Sequence, residues 1–319
     1  MAQEERIHSF YEIDKSAAAT LLMAFDKSMI PEAVTPIHSG MSTSNYCITS
    51  DTGKYLLKIY SGNANSIEPG MYTYLRERIC IPSLYYYDDS RKLCPYPYAI
   101  IEYINGQTLS EHIKANHGYP MEIAREIGRM LSVIHQKHYP RSGYLNRDLG
   151  LMDSEKSTPE LISALLAGKA GARLSDTVRD EIRAFIAHNR DVFDPIDCDF
   201  VLCHGDMSNG NILISDDKVY FIDFEYALAE SRFRDIGKFF RAKAPAVQQY
   251  INEEVYQAFA DGYGELPSGW LRLAKLADIP VMLGLLNIDN APQEWVTDIA
   301  HDIMEAIDYD GNVEPRYGR

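Results

Sequence analysis

Three shortages in this sequence exclude whole classes of function. Its five cysteines (Cys47, Cys80, Cys94, Cys198, Cys203) form an odd, scattered set without C-x-x-C spacing, which argues against a disulfide framework and against a zinc site. Most of them are expected as small core residues. Apolar runs are also short: Ile279 to Ile288 is the longest candidate, but Pro280 and Asn287 interrupt it, so it reads as a buried helix and not as a bilayer span. The first ten residues carry Glu4, Glu5 and Arg6 where a signal peptide would be apolar. A cytoplasmic protein without membrane contact is therefore expected. Positive charge is scarce as well, with 31 Lys and Arg against 46 Asp and Glu and a formal net charge of -15. That balance repels phosphate backbones and makes nucleic acid an unsuitable partner. It suits a cationic small molecule, although acidity also simply keeps a protein soluble. No internal repeat, low-complexity segment or G-x-G-x-x-G loop is found.

What is present is an ordinary globular composition, 46% hydrophobic and 24% charged over 319 residues, enough for one large domain or two lobes with separate cores. The first third reads as strand-rich. Apolar spacing at Leu21, Leu22 and Phe25 predicts a helix from Ala17 to Met29, ended by Pro31. Asn45 to Thr49 and Lys54 to Tyr60 read as a hairpin around Ser50-Asp-Thr-Gly53. A helix over Glu68 to Arg78 and a buried strand over Tyr98 to Ile104 follow, and Asn105-Gly106 breaks that strand. These features predict an N-terminal lobe over residues 1–104 and a larger, mainly helical lobe over 105–319. In the second lobe, helical segments are expected around Met121 to His138, Pro159 to Leu166 and Val178 to Val192. A strand pair is expected at Phe200 to Cys203 and Asn211 to Ile214, then a turn at Ser215-Asp-Asp-Lys218 and a return strand from Val219 to Asp223.

Chemistry concentrates around that last group. Asp206 and Asn211 lie five positions apart on a loop opening into an apolar strand, and Asp223 ends the return strand. An amide oxygen and a carboxylate oxygen are hard ligands suited to Mg²⁺, while a second carboxylate can face an acceptor hydroxyl. Phosphoryl transfer needs such parts and a cation on the nucleotide. Upstream, the small and hydroxyl residues from His38 to Asn45 can bring backbone N–H groups and hydroxyls close to phosphate.

His204-Gly-Asp206 through Asn211, followed by Ile222-Asp-Phe-Glu225, resembles the catalytic H-G-D-x-x-x-x-N loop and metal-binding strand end of the aminoglycoside phosphotransferase and choline kinase superfamily. The resemblance implies an α+β, two-lobed, protein-kinase-like fold: an N-terminal antiparallel sheet with one helix, and a larger mainly helical C-terminal lobe. It further implies an ATP-dependent phosphotransferase with an alcohol group as acceptor. Lys58 resembles the strand lysine on the nucleotide phosphates, and Glu68 the carboxylate that holds it. Ser39, Ser42, Thr43 and Ser44 occupy the phosphate-loop position. The stretch from Ile101 through Glu102 and Ile104 to Gly106 resembles the hinge that binds the base. Arg234-Asp-Ile-Gly-Lys238 resembles the helix start after the metal strand. Asp206 then becomes the catalytic carboxylate, Asn211 and Asp223 the Mg²⁺ ligands, and Glu225 a residue that either touches a second metal or a bound water or does neither.

Departures narrow the acceptor. Gly205 stands where protein kinases have Arg, Glu225 where they have the Gly of D-F-G, and no A-P-E segment follows. With nearly a hundred residues between Gly106 and His204, these favour a small-molecule hydroxyl acceptor: an aminoglycoside, a choline-like amino alcohol or another sugar. His204 reads as a brace for the loop and not as a base, and His135 as a structural histidine. Asp148, Asp153, Asp261 and Asp289 either line a cationic acceptor site or cap helices and loops. Two other readings are a catalytically silent nucleotide-binding protein of the same fold, and metal-dependent hydrolysis, for which further ligands are lacking.

Overall fold

The computed structural model describes residues 9–38, 42–61, 66–154, 156–241 and 245–309. The chain packs into two compact units. The first comprises Met1–Gly106 with two later returns, Asn146–Leu149 and Ser215–Glu225; the second comprises Gln107–Leu145, Gly150–Ile214 and Tyr226–Arg319.

In the first unit, α1 (Lys15–Phe25) starts where the Asp14 carboxylate accepts the Ala17 N–H, a side-chain cap that satisfies one orphan donor of the first turn. It stops at Phe25, short of the expected Met29, because Asp26 turns extended and takes the Ser28 N–H on its own side chain. The strands β1 (Pro31–Ile37), β2 (Ser44–Ser50), β3 (Gly53–Ile59), β4 (Leu84–Asp88) and β5 (Tyr98–Glu102) form one sheet in the order β1-β2-β3-β5-β4, antiparallel throughout. The β2–β3 hairpin turns at Gly53, whose φ of +137° suits a residue without Cβ. Alternate residues of β2, among them Tyr46 and Ile48, face a core shared with Leu57, Ile59, Leu21 and Leu22. Burying each such side chain stabilises by about 1.5–3 kcal/mol. Sequence periodicity missed β1. Pro31 and Pro36 hide it, and the sheet tolerates them because β1 is an edge strand. One helix, α2 (Glu68–Leu75), follows β3.

The second unit opens with β6 (Gln107–Thr108) and α3 (Leu109–Asn116), where Thr108 and Glu111 make a reciprocal capping box. Then come α4 (Met121–Ile134), β7 (His138–Tyr139), β8 (Gly143–Leu145), β9 (Leu151–Ser154), α5 (Thr158–Leu166), α6 (Lys169–Arg173) and α7 (Asp176–His188). β10 (Phe200–Cys203), β11 (Ile212–Ser215), β12 (Lys218–Phe221, within the first unit's second return) and β13 (Leu228–Ser231) are followed by α8 (Arg232–Phe240), α9 (Pro245–Gln248), α10 (Glu253–Tyr263), α11 (Trp270–Leu286) and α12 (Gln293–Asp308). β10 was expected to pair with the next strand. It pairs instead with β13, antiparallel, with Phe200 opposite Ser231 and Cys203 opposite Leu228. All four β13 residues are buried, so no alternation marks the strand. The Ser215-Asp-Asp-Lys218 turn has φ of +47° and +60° at Asp216 and Asp217, the sign a tight hairpin turn requires.

α8 and α11 approach closely: a Cβ on Gly237 would stand 2.1 Å from the Ala274 carbonyl oxygen. α11 continues through Pro280, with Leu276, Ile279 and Leu283 buried. All five cysteines are free, but only Cys94 and Cys203 are buried, fewer than the sequence led one to expect. Among the described residues no helix is long and apolar enough to cross a membrane.

Candidate active site

Each unit gathers one set of the residues singled out above. In the first, β3 places Lys58 opposite Asn45 of β2 and Ala99 of β5, with its side chain only 4% exposed. An ammonium so buried must be paired, and two carboxylates do this: Lys58 Nζ lies 2.8 Å from Glu68 Oε2 and 2.7 Å from Asp223 Oδ1. Burial alone would lower the Lys58 ammonium. The Asp223 and Glu68 carboxylates outweigh it and hold the group well above the ordinary lysine value.

Glu68, fully buried at the start of α2, is the hub. The Tyr60 hydroxyl donates to Oε2 at 2.7 Å, the Tyr72 hydroxyl to Oε1 at 3.4 Å, and the backbone N–H of Phe224 to Oε1 at 3.1 Å. The helix dipole also favours a carboxylate in a first turn. The Phe224 bond ties the carboxylate to the residue after Asp223, whose φ of +67° is the left-handed region that Asp tolerates better than most residues. Glu225 is buried beside the same cluster and hydrogen-bonds Ser42. Burial pushes its carboxyl up to about 7; the Lys58 ammonium opposes this, and the Asp223 and Glu68 carboxylates add to it.

In the second unit β10 runs into the loop at His204. Asp235 of α8 holds the loop's backbone, its carboxylate accepting the N–H groups of His204 at 2.6 Å and Gly205 at 2.9 Å. Burial raises Asp235, but hydrogen bonds and charge from His135, with His204 and the Gly205 N–H, bring it below the usual carboxylate range. Burial pushes His135 the other way, below the ordinary histidine value. Its two ring nitrogens face Tyr263 Oη at 2.7 Å and Asp235 at 3.3 Å, so it is committed to protein groups, as expected. Gly205 has φ of +81°, and a Cβ there would stand 1.9 Å from the Tyr226 carbonyl oxygen; another residue would displace the loop. His204 is fully buried and its Nδ1 accepts the Asp206 N–H at 3.3 Å, the geometry of a brace.

The Asp206 carboxylate is gripped from both sides. Asn211 Nδ2 donates to Oδ2 and to the Asp206 carbonyl, each at 2.8 Å, and Lys238 of α8 forms an ion pair with Oδ1. With both amide hydrogens of Asn211 spent on Asp206, its carbonyl oxygen is the atom left to face a cation. Lys238 falls inside a motif visible in the sequence, but nothing in its spacing marked it. Its helix register, three residues after Asp235, is the signal that finds it.

The remaining site residues separate. Ser39 lies outside the described residues. Ser42 reaches Glu225, and Thr43 donates to Asn45 Oδ1 at 3.4 Å. Ser44 was expected among the phosphate-facing hydroxyls, but it is fully buried and accepts the Tyr11 N–H at 2.8 Å; it packs the sheet. Glu102 directs its carboxylate to the Ser83 N–H and hydroxyl, 3.0 Å each, and the Ile104 carbonyl accepts the Gly106 N–H at 3.1 Å. Of the four further acids, Asp261 is engaged by Gln257 and Asp289 by Lys169, while Asp153 lies exposed on β9. A cavity of about 390 Å³ in the second unit is lined by Arg241, Lys275, Asp278, Asp298, Asp302 and Glu305, together with other polar residues and apolar ones.

Residues 33–276 match the model of the phosphotransferase enzyme family. Comparison with curated proteins returns no match. Among solved structures, the chain is similar to wild-type aminoglycoside 2'-phosphotransferase-IIIa in its GDP complex, with 15% identity, 92% of this chain and 99% of that one covered, and a TM-score of 0.66. It is similar to spectinomycin phosphotransferase in complex with ADP and spectinomycin, with 15% identity, 93% and 99% covered, and a TM-score of 0.59. A candidate fructosamine-3-kinase of Thermobifida fusca gives 17%, 92%, 100% and 0.62. At these identities the likeness is one of fold, the two-lobed protein-kinase-like fold. The match over residues 33–276 carries more: the chain belongs to the phosphotransferase enzyme family.

Proposed function

We propose that this small-molecule phosphotransferase moves the γ-phosphoryl group of ATP to a hydroxyl of a sugar, aminoglycoside-like or amino-alcohol acceptor. The observation that carries the reading is the burial of Lys58 between Glu68 and Asp223. A lysine costs several kcal/mol to bury with its charge, and a nucleotide phosphate is the ligand that such a pre-positioned ammonium serves. Lys58 binds the phosphates, and Asn211 and Asp223 would hold Mg²⁺, their hard oxygen donors fitting that ion. The metal supplies charge neutralisation on the phosphates. Asp206 accepts a hydrogen bond from the acceptor hydroxyl and takes its proton as the oxygen bonds to phosphorus and the bond to the ADP oxygen breaks. Its contribution is mainly positioning.

The acceptor space we assign is the cavity between α8, α11 and α12. At the cavity's lining Arg241 Nε lies 3.1 Å from Asp278 Oδ2 and Lys275 Nζ 3.5 Å from Glu305 Oε1, and the carboxylates of Asp298, Asp302 and Glu305 on α12 add acceptor oxygens for hydroxyl or amine donors. Related solved structures hold GDP in one case and ADP with spectinomycin in another, so both ATP and GTP belong in the test.

The test is a coupled nucleoside-diphosphate release screen, with Mg·ATP or Mg·GTP, against aminoglycosides, choline and ethanolamine, ketosamines, sugars and nucleosides. Turnover on one class, lost in Asp206→Ala while nucleotide affinity stays within about twofold, is the expected result. Full turnover in Asp206→Ala sinks the assignment. Tight nucleotide binding with no transfer to any acceptor would favour a silent member of the fold.

A further inference from the structure

We propose that Lys238 is a positioning residue for phosphoryl transfer, fixing the Asp206 carboxylate so that it faces the acceptor hydroxyl in one orientation. The inference rests on the role given to Asp206 and adds a residue that the catalytic loop itself does not contain.

The argument begins with the carboxylate. An aspartate at a loop position rotates readily about its terminal torsion, which has broad minima. Only a grip on both oxygens holds it. Asn211 supplies one, on Oδ2 at 2.8 Å, and Lys238 supplies the other, on Oδ1. A charge-assisted hydrogen bond is about twice as strong as a neutral one. With one lone pair of each oxygen engaged, those that remain point along defined directions.

The grip comes from a rigid element. Lys238 lies three residues after Asp235 on α8, hence on the same face one turn along. Asp235 already fixes the loop's backbone at His204 and Gly205. One helix therefore sets both the path of the loop and the direction of its functional side chain. α8 is itself held by its close approach to α11 at Gly237 and by the buried side chains of Phe233, Ile236 and Phe239. A functional group supported from a packed helix is held more precisely than one supported within a loop.

A purely stabilising role fits less well. The Lys238 side chain is 17% exposed and that of Asp206 29%, and a partly solvated pair contributes little to folding. Nor does Lys238 fill the core: its neighbours Gly237 and Phe239 carry the packing. What the ammonium does alone is orient and electrostatically support one carboxylate.

The experiment uses the full chain and four variants: Lys238→Met, Lys238→Arg, Lys238→Ala and Asp206→Ala. Turnover is measured with Mg·ATP and the fastest acceptor of the screen, or, if no acceptor is phosphorylated, as hydrolysis of Mg·ATP with water in its place. Nucleotide affinity and thermal midpoint are measured beside it. Lys238→Met is expected to lower kcat by about tenfold to a hundredfold, the scale of a misplaced reacting group, with nucleotide Kd within about twofold. Lys238→Arg should recover most of that loss, and ethylammonium added to Lys238→Ala should recover part. Should Lys238→Met lose stability, those two rescues still read the role of the charge. A Lys238→Met kcat within about twofold of the parent, beside an inactive Asp206→Ala, overturns the proposal and leaves Asp206 in place. A loss that neither Arg nor ethylammonium restores overturns it too. Undiminished turnover in Asp206→Ala, or no turnover of any kind in the parent, removes the reading on which it stands.

Discussion

One charged cluster in each unit, Lys58 with Glu68 in the first and Asp206 with Lys238 in the second, is built in an opposite way. In the first, Lys58 and Glu68 are 4% and 0% exposed and paired with each other; in the second, Asp206 and Lys238 form a pair that solvent reaches. The first arrangement ties charge to folding, because removing one member strands the other without water. The second leaves charge available for chemistry at little cost to stability. On the function proposed above, the cluster of Lys58, Glu68 and Asp223 therefore serves stability and function together, while the Asp206 loop separates them.

The sharpest way to test that contrast is Asp206→Asn. Turnover should fall by about a thousandfold, about 4 kcal/mol in the barrier, while the thermal midpoint by calorimetry stays within a couple of degrees. Glu68→Ala attacks the other side. It should cost about 3–5 kcal/mol of stability in urea unfolding, and nucleotide binding should fall with it; a stable variant would break the contrast.

The pH dependence of stability extends the comparison to α8. His135 is held below its ordinary value by burial, so between the folded value and about 6.5 the unfolded chain binds more protons than the folded one. Stability is then complete above about pH 6.5 and declines as pH falls, by up to about 1.4 kcal/mol per unit for that single proton. Asp235, lowered below the usual range, acts in the same direction at still lower pH. Urea midpoints between pH 7.5 and 5.5 should fall with acid in the parent, and the slope should flatten in His135→Asn. Tyr60→Phe removes one bond from Glu68 and should cost about 1 kcal/mol. Lys238→Met should change stability least, by under about 1 kcal/mol, whatever it does to turnover.

Much of this was legible in the sequence because local rules and site chemistry coincide there. Two β-prone runs around a turn with Asp51 and Gly53 announced the hairpin, and the apolar run at Tyr98 announced β5. His204, Asp206, Asn211 and Asp223 stood out by their spacing, and the structure ties the first three together in one loop around Asp235. What stayed hidden depends on groups distant in sequence. β13 is short and buried on both faces, so no period marks it, and the pairing of β10 was misjudged as a result. Ser44 was read as phosphate-facing, since a hydroxyl beside a loop gives no hint that Tyr11, thirty-three residues earlier, occupies it. Lys238 went unremarked for the same reason: helix register and long-range packing make it a neighbour of Asp206, and sequence spacing does not.

The hydroxyls of Tyr60 and Tyr72 on Glu68 have a consequence visible to an ultraviolet spectrometer. Burial and the adjoining carboxylate hold both phenols well above the ordinary tyrosine value. In an alkaline titration these two of the chain's 22 tyrosines should therefore give no phenolate absorbance while the first unit stays folded, then appear together as it opens. Their late, steep absorbance change would mark the moment when Lys58, Glu68 and Asp223 come apart.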